Sequence, residues 1–216
     1  MDALVSFIDG EFVPLRFKYE ELLLAGWSGR SREEVLAHIE ELRRIGVPPP
    51  EKVPSFFRVS PNLLTTSREL GVLGSRNNGE VEYVIFIEDG EPRYVTVGSD
   101  HTDRDVERMD ILLSKHLYPK VIPPVVWPYE EVEDHWDDLI LRMEVDGVLS
   151  QQSKMGALLR AEDLIERAGL KRNAVLFSGS IPWLDGSMRF GREYRIEVED
   201  PVLGRKIAYS YVTREA

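Results

Sequence analysis

The chain has 216 residues, 43% of them hydrophobic and 30% charged, which suits one globular domain of ordinary size. A formal net charge of −11 argues against the phosphate backbone of a nucleic acid as a partner. Cysteine is absent, which excludes disulfides, thiol nucleophiles and zinc–thiolate sites, and no apolar stretch reaches membrane-spanning length. With no signal peptide in the sequence, we expect a cytoplasmic protein with no membrane partner.

Turn signals and periodicity predict a strand-rich domain. Asp-Gly between hydrophobic runs is a strong hairpin signal, and it occurs four times. The predicted strands lie at 4–8, 11–17, 81–87, 93–97, 138–145, 148–152, 174–178, 192–199 and 205–213. Capping and helical spacing predict helices at 31–45, 103–115 and 161–168. We expect an α+β, β-rich fold with few short helices, in which an N-terminal hairpin and helix segment (1–50) packs on a body (51–216) within a single domain.

The predicted helix 31–45 carries a histidine and a carboxylate on one side. His38 lies within the apolar stripe, and Glu41 follows three residues later, where its carboxylate can meet the imidazole. A histidine oriented by a carboxylate is the usual arrangement of a general base that activates water. A half-buried histidine in a charged helix is the alternative that these residues leave open.

Two glutamates stand at the start of an apolar strand. Glu80 and Glu82 are two residues apart, so their side chains project from the same face. Like charges beside so much hydrophobic sequence repel each other and lose hydration on burial unless a cation or base offsets them. With Asp100 as a third oxygen ligand, the set suits Mg²⁺, Mn²⁺ or Ca²⁺. The alternative is a solvated strand end without a metal.

The segment 100–105 is dense in ligand types and has two interpretations. In one interpretation, the segment supplies a metal ligand. In the other, a helix starts here, with Thr102 as its N-cap and with acidic residues that complement the helix dipole. His101, His116 and His135 lack metal-ligand spacing, and we expect each to be a surface or turn residue.

Lys115 and Arg58 are candidates to hold an anionic substrate. Arg58 follows two phenylalanines on a predicted strand, where it pairs with an acid or ligand or extends to solvent. The sequence contains no glycine-rich phosphate loop, nucleophile elbow or dinucleotide fingerprint.

Taken in order, these motifs resemble the fumarylacetoacetate hydrolase superfamily over residues 26–212. The matching motifs are His38-x-x-Glu41, the strand 53–58 that ends in a basic residue, Glu80-x-Glu82, the Asp-x-Thr-x-Arg-Asp signature at 100–105, Lys115, the hairpin 146–151 and the turn 179–182. The local sequences GSDHTDR and SKHLYPK are similar to a bacterial branch of the superfamily known only as a domain of unknown function.

The resemblance implies mixed β-sheets rolled around a metal site, usually in a homodimer. It implies that Glu80, Glu82 and Asp100 bind Mg²⁺ or Mn²⁺, with Ca²⁺ as a further option. The expected catalytic residues are His38, Glu41, Lys115 and Arg104, and the expected substrate-binding residues are Arg58, Gln151 and Ser180. In this scheme the histidine–glutamate pair activates water, and the lysine and Arg104 stabilise an oxyanion or enolate.

The chain also departs from the family pattern. The interval from Glu82 to Asp100 is short, so the helix usually found there should be absent. Glu107 stands where some family hydrolases have a glutamine, and Ser180 replaces a threonine while keeping the hydroxyl. These changes concern the pocket more than the metal site.

We therefore expect a Mg²⁺-dependent enzyme that acts on a small 2-oxo or β-diketo carboxylic acid. Hydrolytic cleavage of a C–C bond by water that His38 activates is the first expectation. One alternative is a hydratase, decarboxylase or isomerase of 2-oxo or enol acids that works through a metal-bound enolate. A non-catalytic, metal-dependent binding protein is another.

Overall fold

The computed structural model describes residues 1–7, 9–44 and 49–216; the side chains of residues 38, 41, 42 and 44 are not among those described. Its strands are β1 (Asp2–Ser6), β2 (Phe12–Arg16), β3 (Glu21–Gly26), β4 (Ser55–Val59), β5 (Leu64–Thr65), β6 (Glu69–Val72), β7 (Asn77–Asn78), β8 (Val81–Glu88), β9 (Glu91–Ser99), β10 (Thr102–Asp103), β11 (Lys120–Val121), β12 (Val125–Pro128), β13 (Ile140–Val145), β14 (Val148–Lys154), β15 (Ala174–Phe177), β16 (Glu193–Asp200) and β17 (Arg205–Glu215). Its α-helices are α1 (Arg32–Arg44), α2 (Arg104–Met109), α3 (Ile111–Leu117) and α4 (Ala161–Ala168).

The described strands form one large mixed sheet, one smaller sheet and the short pair β7–β10. The large sheet runs in the order β2-β1-β12-β9-β8-β15-β3-β4, and β11 joins β9 to β5 beside this path. The smaller sheet runs in the order β14-β13-β16-β17-β6. Parallel pairs such as β15–β3 lie beside antiparallel hairpins such as β8–β9. The β-rich α+β fold with mixed sheets and short helices that the sequence predicts is confirmed.

The main hydrophobic core lies between the two sheets. Tyr83 on β8, Met143 on β13 and Ile196 on β16 are fully buried in it. A second cluster covers the opposite face of the large sheet and includes Val84 and Phe86. Successive residues of β8 point into these two clusters in turn, so both faces of the strand are buried. Burial on both faces explains why this run is apolar without alternation.

The hairpin β8–β9 closes as its sequence predicts. Asp89 and Gly90 form the two-residue turn, and both have positive φ, as a tight hairpin turn requires. No helix lies between Glu82 and Asp100, a stretch that the structure describes in full. The two strands therefore run directly from one acid to the other.

The structure differs from the sequence prediction in one helix and in several strands outside the predicted set, among them β3, β6 and β12. The predicted helix 103–115 divides at Asp110, whose extended backbone (φ −157°, ψ 111°) ends α2 and whose side chain caps α3. The strand β3 was not predicted, because its apolar run is buried between β15 and β4 and has no alternation. The segment 1–50 contributes β1, β2 and β3 to the large sheet, and its separation from the body near residue 50 stays a prediction.

In the described part of the chain, no helix is long and apolar enough to cross a membrane.

Close packing of the large sheet predicts that Gly98 on β9 cannot accept a side chain. A Cβ there would lie 2.5 Å from Val84 Cγ2 and 2.6 Å from Phe177 Cε1, both in the second cluster. We expect Gly98→Ala to lower the free energy of unfolding by about 1–3 kcal/mol, the usual cost of overpacking. Gly71→Ala is the matched strand control, because a Cβ at that position has no neighbour within 4 Å. Urea unfolding of the two variants measures the difference, and equal stability would contradict the packing argument.

Candidate metal and substrate site

The open end of the β8–β9 hairpin brings Glu80, Glu82 and Asp100 together. Val81 pairs with Ser99, and one residue beyond this pair the Asp100 amide donates a hydrogen bond to the Glu80 carbonyl at 3.0 Å. One carboxylate oxygen of each acid lies within 4.8 Å of the others. Glu82 and Asp100 are buried, and Glu80 is partly buried. The antiparallel register therefore places three acids at one point of the sheet.

Glu82 is held by the backbone of the turn after β15. One of its carboxylate oxygens accepts a hydrogen bond from the Gly179 amide at 2.7 Å. Gly179 has a φ of +87°, and a Cβ there would lie 2.4 Å from Ser28 Oγ, so glycine is required. Burial, followed by the charge of Asp100, raises the pKa of Glu82 well above its usual range, while Lys115 opposes the rise. Glu82 is thus a buried acid with an incomplete counter-charge.

Asp100 lies between two lysines. Lys115 Nζ, on α3, donates to its Oδ2 oxygen, and Lys120 Nζ, on β11, lies 2.7 Å from its Oδ1 oxygen. Burial opposes ionisation, but the charges of Lys115 and Lys120 hold the pKa of Asp100 well below its usual range. Asp100 is therefore an anion at neutral pH.

Lys120 is a site residue that the sequence interpretation missed. Its side chain is fully buried, and its Nζ also donates to the His101 carbonyl at 2.9 Å. The pairing of Val121 with Ser99 sets it beside Asp100. The sequence does contain a signal, because Lys120 stands directly before an apolar run. A lysine that is buried with such a run is almost always paired.

Arg104 links Glu80 to Glu107. Its Nη2 atom lies 3.1 Å from Glu80 Oε1, and its Nη1 atom lies 2.7 Å from Glu107 Oε2. Its Nε atom donates to Asn78 Oδ1 at 2.5 Å. Burial opposes the charge, but Glu80 and Glu107 hold the pKa of Arg104 above its usual range. The guanidinium is thus a fixed positive charge beside the acids.

Gln151 and Ser180 lie next to the first residue of β8. Gln151 Oε1 accepts a hydrogen bond from the Val81 amide at 3.0 Å, and its Nε2 donates to Ser180 Oγ at 2.9 Å. Ser180 directly follows Gly179, whose amide binds Glu82. The structure therefore brings these two expected substrate-binding residues to the Glu82 side of the site.

Arg58 is not brought to the acids. It lies on β4, which β15 and β3 separate from β8 in the large sheet. Its exposed guanidinium lies 2.8 Å from Glu21 Oε2. Of the two options that the sequence left open for Arg58, the structure thus has the pairing with an acid. His38 and Glu41 belong to α1, and their side chains lie outside the described residues.

His101 corrects the expectation of a surface or turn residue, because its side chain is fully buried. Its Nε2 atom lies 2.8 Å from Asn77 Oδ1, and its Nδ1 atom lies 3.0 Å from the Tyr211 hydroxyl. Burial, followed by the charge of Lys120, lowers the pKa of His101 to about 3, so the ring is neutral. Since an amide oxygen only accepts, Nε2 carries the proton and Tyr211 donates to Nδ1.

The donor set fits a hard divalent cation. Three converging carboxylates offer oxygen ligands alone, the set that Mg²⁺, Mn²⁺ and Ca²⁺ prefer. A cation held by Glu80, Glu82 and Asp100 would also offset the burial and the Asp100 charge that raise the pKa of Glu82. The cluster can therefore bind a cation and present fixed positive groups beside it.

Replacing Glu82 by glutamine tests this assignment. The glutamine side chain keeps an oxygen for the Gly179 amide but removes a buried charge, so we expect the cation-free Glu82→Gln variant to unfold at a higher temperature than the parent at mildly alkaline pH. Mg²⁺ at a hundredfold excess over its Kd should stabilise the parent by about 2.7 kcal/mol and leave the variant nearly unchanged. Calorimetric unfolding measures both effects.

Glu88→Gln is the matched control, since Glu88 ends the same strand and pairs with Arg93 at 3.5 Å. An undiminished Mg²⁺ response in Glu82→Gln would remove Glu82 from the metal site.

Comparisons with known proteins identify the family. A family model described as "Protein of unknown function (DUF2848)" matches residues 25–211. No curated protein matches the sequence significantly. Among solved structures, the chain is similar to a fumarylpyruvate hydrolase from Pseudomonas aeruginosa in complex with Mn²⁺ and pyruvate, with 20% identity over 99% of this chain and 97% of that chain and a TM-score of 0.67.

Two further solved enzymes share the fold. A 5-carboxymethyl-2-hydroxymuconate delta-isomerase from Mycobacterium smegmatis is 18% identical over 96% of this chain and 86% of that chain, with a TM-score of 0.64. A 2-keto-3-deoxy-D-arabinonate dehydratase is 16% identical over 92% of this chain and 74% of that chain, with a TM-score of 0.62. The chain therefore belongs to the DUF2848 family, and it has the fold of fumarylacetoacetate hydrolase-like proteins.

Proposed function

We propose that this protein is an enzyme that binds Mg²⁺, or else Mn²⁺ or Ca²⁺, and acts on a small 2-oxo or β-diketo carboxylic acid. The observation that carries the proposal is the trio of acids on the β8–β9 hairpin, with Lys115 and Arg104 in contact with two of them. The Mn²⁺ and pyruvate bound by the fumarylpyruvate hydrolase support the same ligand class. We further propose that the protein works in the cytoplasm as a homodimer.

Each group of residues in the site has its own proposed role. Glu80, Glu82 and Asp100 would hold the cation, which when bound would polarise a substrate oxygen as a Lewis acid. Lys115 and Arg104 would stabilise negative charge that develops on the substrate, because their charges are fixed in a buried site and need no reorganisation. The substrate-binding roles of Gln151 and Ser180 rest on their position beside Glu82, whereas that of Arg58 rests on the sequence resemblance alone.

The proposed base is His38, oriented by Glu41, on the strength of the sequence motif. It would take a proton from water, and the water oxygen would attack the carbonyl carbon distal to the carboxylate. Collapse of the tetrahedral adduct would break the bond from that carbon to the neighbouring CH₂ carbon, which releases a carboxylic acid and the enolate of a 2-oxo acid. The enolate would then take up the proton held by His38. Hydration, decarboxylation or isomerisation of the same class of acid is the alternative chemistry. The isomerase and the dehydratase that share this fold support keeping it open.

Binding of planar oxygen donors tests the ligand class. We expect oxalate and pyruvate to bind to the Mg²⁺-loaded protein and not after chelation, because a bidentate donor replaces waters on a hard cation. Lys115 and Arg104 favour the negative charge, so a neutral diketone should bind at least about tenfold more weakly. Parallel calorimetric titrations measure this. Equal affinity for all three ligands, or binding that survives the chelator, would overturn the assignment.

Removal of the proposed base tests the reaction. We expect His38→Ala to lower turnover by about 10²–10⁴-fold, the usual contribution of a positioned acid or base, while oxalate affinity stays near that of the parent. Turnover is measured on an acylpyruvate, a 2,4-diketo acid, by loss of its enol absorbance. His116→Ala is the control, because His116 is exposed on α3. An unchanged rate in His38→Ala would demote His38 to a packing residue, and no turnover by the parent would favour a binding protein.

A further inference from the structure

We propose that Glu107 is a specificity-determining residue that limits the charge of the ligand at this site. The inference rests on the proposed function, because it takes the ligand to be an anion that meets the cation. It names the substrate class more narrowly. The end of the substrate at the cation carries one negative charge, as in a 2-oxo monocarboxylate, and a dianion is disfavoured.

The backbone of α2 fixes Glu107 against the basic groups. Asp103 caps this helix by accepting hydrogen bonds from two amides of its first turn, so Arg104 and Glu107, three residues apart, share a face. Glu107 Oε2 lies 2.7 Å from Arg104 Nη1, and Oε1 lies 3.9 Å from Lys115 Nζ. One carboxylate therefore engages both groups that would otherwise receive a substrate anion.

Exposure orders the charges from solvent inward. The side chains of Glu107 and Glu80 are 25% and 14% exposed. The basic side chains lie deeper, with Arg104 at 5%, Lys115 at 9% and Lys120 at 0%. Glu107 and Glu80 are thus more accessible to a ligand from solvent than the three basic groups are.

The net charge of the cluster also favours a ligand with one negative charge. Among the residues that the structure describes, four carboxylates (Glu80, Glu82, Asp100 and Glu107) contact or adjoin three basic groups (Arg104, Lys115 and Lys120). When all are ionised, one negative charge is in excess, and a bound divalent cation leaves one positive charge in excess. A monoanion neutralises the loaded cluster, whereas a dianion restores a negative excess directly beside Glu107.

The size of the effect is measurable. Two unit charges about 5 Å apart in a partly exposed site interact strongly enough to change affinity by roughly ten- to a hundredfold. Removing the charge of Glu107 should therefore raise the affinity for a dianion more than the affinity for a monoanion, by a factor in that range.

The experiment compares oxalate, a dianion, with pyruvate, a monoanion. The Mn²⁺-loaded parent and the Glu107→Gln, Glu107→Asp and Glu88→Gln variants are titrated with each ligand by calorimetry, after their Mn²⁺ affinity has been measured alone. We expect Glu107→Gln to raise the affinity for oxalate relative to pyruvate by about tenfold or more. Glu107→Asp keeps the charge and should keep the parent's ratio. Glu88→Gln should keep it too, because Glu88 lies six residues along β8 from Glu82, about 20 Å away.

The outcomes separate this inference from the proposed function. An unchanged oxalate-to-pyruvate ratio in Glu107→Gln overturns the inference alone, as does the same rise in Glu107→Asp, which would indicate altered packing. Loss of Mn²⁺ binding in Glu107→Gln would make Glu107 a cation ligand and also overturn it. If neither ligand binds to any of the Mn²⁺-loaded proteins, the proposed function falls and the inference with it.

Discussion

Repulsion among Glu80, Glu82 and Asp100 is the constraint around which the neighbouring side chains are arranged. The register of β8 and β9 forces the three acids together. Side chains buried on both faces fix this register, which shifts between Phe86 and Ile87 before the Asp-Gly turn. Arg104 offsets Glu80, and Lys115 with Lys120 offsets Asp100. Among the described residues, Glu82 accepts a hydrogen bond from a backbone amide, which carries no net charge. Of the three acids, Glu82 is therefore the one that a cation would stabilise most.

The smaller sheet contacts the acid-bearing hairpin on the face opposite the acids. Strand alternation directs Asp100 to one face of the large sheet and Ser99 to the other, where the Tyr211 hydroxyl meets both Ser99 Oγ and His101 Nδ1. Gly79 permits this approach, since a Cβ there would lie 2.4 Å from the Ser99 and Tyr211 oxygens. The neutral ring of His101 thus ties the loop that follows Asp100 to β17 through hydrogen bonds that do not require charge.

The fold by itself leaves the reaction open, because the same architecture carries hydrolase, isomerase and dehydratase chemistry in the solved structures. In this chain the three acids lie in a cluster of opposite charges. Glu107 shares the two basic groups that face the acids, and Lys120 adds a positive charge that is fully buried. Under the proposed function, substrate choice would depend on how these charges balance, and cation binding would depend on the hairpin that brings the acids together.

The sequence by itself determined what depends on local spacing. Asp-Gly turns predicted the hairpins, two-residue spacing placed Glu80 and Glu82 on one face, and the order of the motifs indicated the fold that the solved structures share. Tertiary structure alone decided which side chains meet across distant segments. It buried His101, brought Lys120 to Asp100, kept Arg58 three strands away and divided a predicted helix at Asp110. The physical reason is that periodicity records which face of an element is buried, whereas ion pairing and burial of single polar groups depend on partners that lie far away in the chain.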